Sequence, residues 1–139
     1  MEFKIYTADV TGDAGNCMYP HEVTITNEKE LADAVKSDYV FAKYKGSYRN
    51  TKNFETSVVI PMDCDNDGSD DPADWIDFDK FQQEFVSVSY ALIPSRNHMK
   101  AKNGKDPRPK FHAVFIIDEC TDSDVYKGIK EKIYEAYPF

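Results

Sequence analysis

Apolar and polar positions along the chain fall into several short alternating runs, one continuous apolar run and three stretches with helical spacing. Phe3-Lys4-Ile5-Tyr6 alternates and predicts a first strand, followed by a loop over Thr11-Gly12-Asp13-Ala14-Gly15-Asn16. Glu22-Val23-Thr24-Ile25 reads as a short extended piece. Thr26 or Asn27 then caps a helix whose apolar stripe is Leu31, Ala34 and Val35. Tyr39-Val40-Phe41-Ala42 is a further strand candidate, and the polar stretch from Tyr44 to Asn53 reads as a loop. Ser57-Val58-Val59-Ile60-Pro61-Met62 is the central apolar run, rich in β-branched residues, and reads as a buried strand. Gly68 to Pro72 is a turn, and Asp77 caps a short helix burying Phe78, Phe81 and Phe85. Val86 to Ile93 predicts the next strand, ending at Pro94-Ser95. Phe111 to Ile117 predicts another, and Thr121 or Ser123 caps a last helix carrying Val125, Tyr126, Ile129, Ile133 and Tyr134. Strands and helices are mixed, with at least one hairpin, so the pattern predicts an α+β fold: an open sheet with helices packed against it.

Length and charge narrow this picture. A chain of 139 residues supports one domain with a real core, so residues 1–139 are expected to form a single domain. No run approaches the length of apolar chain that a membrane helix needs, and the N-terminus does not resemble a signal peptide, so no membrane partner is expected. Cys17, Cys64 and Cys120 are odd in number and far apart. This argues against a disulfide framework or a structural zinc site and points to a reducing cytoplasm. The net charge of −8 disfavours a nucleic-acid partner when taken as a sum, but its distribution is uneven. From Asp63 to Asp79 there are eight acids and no base. From Arg96 to Lys110 there are six bases (Arg96, Lys100, Lys102, Lys105, Arg108, Lys110) and one acid, Asp106. The basic stretch contains Gly104, Pro107 and Pro109 and reads as a long hairpin-like loop. An acidic block followed by a basic block is what a metal-plus-phosphate site looks like in sequence, and also what two solvated loops look like.

The central strand ends in Asp63-Cys64-Asp65. Residues i and i+2 of a strand share a face, so Asp63 and Asp65 are expected to project together, with Cys64 facing the other way. Two neighbouring carboxylates repel unless a cation lies between them, and hard oxygen ligands suit Mg²⁺, Mn²⁺ or Ca²⁺. Asp63 to Asp74 also fits a calcium loop in part, as D-x-D-x-D-G with Asp74 in the twelfth position. Against this, the preceding segment is a strand, position eight is Asp70, and position twelve is not Glu. His98 follows a strand end among Ser95, Arg96, Asn97 and Lys100, which are donors compatible with phosphate. His112 sits inside an apolar strand and reads as a core or sheet-face histidine. Because His112-Ala113-Val114 lacks a second histidine, it argues against a nicking-endonuclease centre. Asp118 reads as a turn aspartate ending its strand, the alternative being a third metal ligand.

Taken together, these segments resemble the archaeo-eukaryotic primase superfamily, in particular the primase-polymerases of phages and mobile elements. The resemblance rests on three segments over about residues 55–118. They are Val58-Val59-Ile60-Pro61-Met62-Asp63-Cys64-Asp65, Tyr90-Ala91-Leu92-Ile93-Pro94-Ser95-Arg96-Asn97-His98, and Pro107-Arg108-Pro109-Lys110-Phe111-His112-Ala113-Val114-Phe115. It implies an RRM-like mixed or antiparallel open sheet with an N-terminal α/β portion. It also implies template-directed nucleotidyl transfer with Mg²⁺ or Mn²⁺ on Asp63 and Asp65, and His98 as a further catalytic residue. The triphosphate would be held by Ser95, Arg96, His98 and Lys100, with Arg108 and Lys110 as further candidates. The implied partners are nucleoside triphosphates, a single-stranded DNA template and a fused or separate helicase. Two departures stand out: Ser95 lies three residues before His98, where the family's small-x-His pattern has a single residue between them, and the later apolar-Asp motif has no convincing match, Asp118 being the nearby candidate. The resemblance thus implies a catalytic domain truncated at its C-terminal end. A calcium-binding module and a metal-dependent nuclease are the alternative readings of the same carboxylates.

Overall fold

A computed structural model describes residues 2–102 and 104–137. The chain divides into two compact units, residues 1–60 with 116–129 and residues 61–115 with 130–139. The fold is α+β, with two antiparallel sheets and three α-helices, an open sheet packed with helices. A three-stranded sheet has the order β2-β1-β3, and a four-stranded sheet the order β4-β5-β7-β6. Here β1 is Phe3–Thr7, β2 His21–Ile25, β3 Tyr39–Val40, β4 Lys43–Tyr44, β5 Phe54–Cys64, β6 Tyr90–Pro94 and β7 Phe111–Cys120. The chain of both β5 and β7 runs from one unit into the other. Among the described residues, no helix is long and apolar enough to cross a membrane.

In the first unit, β1 lies between β2 and β3, pairing Ile5 with Val23 and Tyr6 with Val40. Phe3, Ile5 and Ile25 are buried, as the alternation requires. Helix α1 (Glu28–Ala34) starts where the sequence places it. The Asn27 side chain accepts the Glu30 N–H at 2.9 Å, and Glu30 reaches back to the Thr26 N–H at 3.3 Å, a reciprocal cap displaced by one residue. The expected strand over residues 39–42 stops after Val40. Residues 44–53, expected as loop, supply the second residue of β4 and two single-turn 3-10 segments. Val59 and Ile60 are fully buried in β5, and the hydroxyl of Tyr126 donates to the Val59 carbonyl at 2.8 Å. Tyr126 lies on α3 (Ser123–Ala136). The cap of α3 is neither Thr121 nor Ser123: Asp122 Oδ1 accepts the N–H groups of Asp124 and Val125. A carboxylate there answers the partial positive charge of the helix start better than a hydroxyl does.

The second unit is built around aromatic rings. Helix α2 (Phe78–Glu84) is capped by Asp77, which accepts the Lys80 N–H at 2.8 Å. Phe81 is fully buried, 4.5 Å from Phe85 between ring centroids, 5.0 Å from Tyr90 and 5.9 Å from Phe115. Strand β6 pairs antiparallel with β7, Ile93 opposite His112 and Pro94 opposite Phe111, and the basic stretch connects them. The predicted strand over Val86–Ile93 begins only at Tyr90. Phe85 stays packed on Phe81 and Phe115, so the chain uses residues 85–88 to turn, leaving Val86 79% exposed. The alternation of Val86-Ser87-Val88-Ser89 therefore marks no strand. Asp118, expected in a turn, lies inside β7 and is exposed. The apolar C-terminal residues Pro138 and Phe139 lie outside the described residues.

Candidate active site

The last turn of strand before the acidic block sets the geometry. Along β5, Met62 and Cys64 are fully buried, Asp63 is exposed and Asp65, just beyond the strand, is half-buried. Burial, followed by the two flanking carboxylates, pushes the Cys64 thiol up to about 12. Asp65 has its carboxyl pKa raised, first by burial and then by the charge of Asp63. Lys110 and His112 oppose the rise, and Asp67 adds to it. The charge of Asp63 thus acts on Asp65, while Cys64 between them is turned into the core. The Asp63 backbone N–H donates to the Tyr134 hydroxyl at 3.1 Å, which ties the strand end to α3 within this unit.

The imidazole beside the pair comes from β7. His112 Nε2 is 3.1 Å from Asp63 Oδ1, and the ring is half-buried on the sheet face. His98 is placed differently. Its Nδ1 accepts the Lys110 N–H at 3.1 Å, its own N–H donates to the Ser95 carbonyl, and its ring stacks on Phe78 at 5.3 Å and 7°. Ser95 closes the same arrangement, its N–H donating to the Lys110 carbonyl at 2.9 Å. Among the described residues, the histidine that lies against Asp63 is thus His112. The sequence carried one signal for it: an in-register polar residue in an otherwise apolar strand.

The cations of the basic stretch separate into two groups. Lys110 is buried and donates from Nζ to Asp67 Oδ1 at 2.8 Å, and this bond is the main reason the Asp67 carboxyl sits below its usual range. Arg108 is 1% exposed. It donates from one terminal nitrogen to the carbonyls of Asn66 (2.9 Å) and Ser69 (3.0 Å), from the other to Asp70 Oδ1 (3.0 Å), and from Nε to the Asp106 carbonyl. Its guanidinium lies 4.8 Å from the Trp75 ring centroid. Arg96 and Lys100 lie exposed on the connection between β6 and β7. Arg108 therefore fastens the acidic loop, Lys110 borders the carboxylate pair, and Arg96 and Lys100 remain at the surface.

The acidic loop is shaped by bonds inside this unit. Asn66 adopts a left-handed backbone (φ 55°), and its buried amide accepts the Ile76 N–H and donates to the carbonyls of Ile76 and Pro109. Asp74 accepts the Ser69 hydroxyl at 2.7 Å. The carboxylates of the calcium-loop pattern are thus engaged separately: Asp67 by Lys110, Asp70 by Arg108 and Asp74 by Ser69. Among the described residues, no three His, Cys, Asp or Glu side chains are arranged to hold a metal ion. The Asp63–Asp65 pair still fits a hard divalent ion of the magnesium type, which keeps several waters and takes only one or two carboxylates together with substrate phosphate oxygens. In comparisons with known proteins, no family model, no curated protein and no solved structure matches the chain.

Proposed function

We propose that this chain is the catalytic part of a metal-dependent nucleotidyltransferase of the primase-polymerase kind, acting on nucleoside triphosphates and a nucleic-acid template. The observation that supports this most is the pair of carboxylates, Asp63 and Asp65, at the end of β5, with Lys110 and His112 beside it. Bound Mg²⁺ or Mn²⁺ would lower the pKa of the attacking 3′-hydroxyl and offset charge on the leaving pyrophosphate. Asp63 and Asp65 would hold that ion, and their mutual repulsion favours taking it up. His112, with Nε2 3.1 Å from Asp63 Oδ1, would help to orient that carboxylate. Lys110 supplies a fixed positive charge next to Asp65 and keeps Asp67 ionised. Arg96 and Lys100, exposed on the connection between β6 and β7, would meet the phosphates of an incoming nucleotide, and His98 would order the loop that carries them.

The test is extension of a labelled primer on a DNA template in Mn²⁺, with and without nucleoside triphosphates. Extension is expected from the parent chain, with a loss of at least ~100-fold in Asp63→Asn and in Asp65→Asn. Cleavage of the oligonucleotide without nucleotide dependence, or extension that survives both substitutions, would overturn the reading.

A further inference from the structure

The first unit contains a cavity of about 250 Å³ that no step of the proposed chemistry uses. Tyr6, Tyr19, Tyr44, Glu22, Lys43 and Ala42 line it. Tyr6 and Tyr19 are 7% and 6% exposed, so their rings are held by the surrounding structure, and the Arg49 guanidinium lies 5.6 Å from the Tyr19 ring centroid. Burial, together with Glu22, pushes the Tyr6 hydroxyl up to about 12, which keeps it a neutral donor at physiological pH. The carboxylate is loosely engaged. Tyr6 reaches Glu22 Oε1 at 3.5 Å, the outer limit of a hydrogen bond, and Lys4 Nζ is 3.8 Å from Oε2 in an exposed pair of little energetic weight.

These walls define a ligand. Tyrosine rings favour a flat, π-bearing partner in stacked or edge-on contact. A carboxylate accepts two parallel N–H bonds, and an ammonium donates to a carbonyl or ring-nitrogen acceptor. Lys43 opposes a simple cationic amine, which three tyrosines and a carboxylate would otherwise suit. Guanine answers both charged groups: it has adjacent N–H donors on one edge and O6 and N7 acceptors on the other. Adenine and cytosine place a ring acceptor beside their amino group, so Glu22 would face a lone pair. The volume lies just below the usual range for small-molecule sites, about 300 Å³ and upward, which suits a base or nucleoside better than a full triphosphate. We infer that this cavity is a binding site for a guanine base, carried on a nucleoside or on a nucleic acid. The inference stands apart from the nucleotidyl-transfer reading, because no residue is common to the two sites.

Calorimetric titration with guanosine, adenosine and cytidine in the presence of a chelator tests it, since a nucleoside has no phosphate to engage the carboxylate pair. Guanosine is expected to bind, with adenosine and cytidine at least about tenfold weaker, because a mismatched edge leaves polar groups unpaired. Glu22→Gln, a change at an exposed position, is expected to weaken guanosine binding by about tenfold or more. Asp63→Asn should leave it unchanged. Absence of guanosine binding at millimolar concentration, equal affinity for adenosine, or undiminished binding by Glu22→Gln would overturn the inference. So would loss of binding in Asp63→Asn, which would assign the nucleoside to the β5 site instead.

Discussion

Replacing Arg108 with Met separates two roles that the basic stretch suggests for this residue. Met keeps much of the side-chain volume and removes every donor. Four acceptors then lose a partner, with unequal consequences. The Ser69 carbonyl retains the Trp75 indole N–H at 2.8 Å, so it stays satisfied. The Asp106 carbonyl belongs to an exposed residue and can take water. Asp70 has a side chain 84% exposed, and its ion pair is worth no more than ~1 kcal/mol. The Asn66 carbonyl is the costly one, because Asn66 is buried and no water replaces the lost donor; leaving it unpaired costs about 1–3 kcal/mol. Loss of the stacking on Trp75 adds ~1 kcal/mol. Relief of guanidinium desolvation offsets part of this, so the expected destabilisation is about 2–4 kcal/mol. For a chain of this length that corresponds to a fall in Tm on the order of 10 °C. Trp75 is the only tryptophan, so urea denaturation followed by its fluorescence reads both global stability and the local environment of the acidic loop. Arg108→Lys should lose most of the same stability, since a point charge cannot span Asn66, Ser69 and Asp70 together. A Met variant with unchanged midpoint and unchanged Trp75 emission, but weakened nucleotide binding, would show that Arg108 does not fasten the acidic loop and make it a ligand-binding residue.

Two further expectations concern titration and reactivity. Asp65 holds its proton more tightly in the folded chain than in the unfolded one. Its contribution is therefore fully present below the ordinary carboxylate value of 3.8 and is lost as pH rises through the raised folded value. Asp65→Asn should accordingly raise Tm in metal-free buffer at pH 7, by a few degrees, and the gain should shrink toward pH 3; a lower Tm at pH 7 would contradict it. The three thiols should differ in rate toward a disulfide reagent at pH 8: Cys17, half-buried, reacts quickly, whereas Cys64 and Cys120 are buried and react only as the chain unfolds. Cys17→Ser should remove the fast phase, and a fast phase that survives would show Cys64 or Cys120 to be accessible.

The residues that sequence could place are those whose signals are local. The alternation of Phe3–Tyr6, the apolar run into Asp63 and the Asn27 and Asp77 caps depend on neighbours within a few positions, and strands and helices begin there. The expectation that Asp63 and Asp65 share a face rests on the strand period alone. Where a local pattern met a distant demand, it yielded: Val86-Ser87-Val88-Ser89 alternates, yet Phe85 is held in the aromatic core and the chain turns. Asp122 rather than Thr121 or Ser123 caps α3, a choice among adjacent polar residues that spacing does not resolve.

Periodicity alone yields an α+β chain whose central apolar strand runs into closely spaced carboxylates, Asp63 inside it and Asp65 one residue past its end, followed by a basic connection. Strand pairing selects the imidazole that lies against Asp63, and burial separates Arg108 and Lys110 from the exposed cations of the same stretch. His112 touches Asp63 although 49 positions separate them, and Arg108 reaches Asn66 across 42. The difference is one of range. Backbone periodicity is fixed by torsions over a few residues, whereas a hydrogen-bond partner is chosen by which strands pair and in what register, and two loop cations of the same composition can end up buried or exposed accordingly.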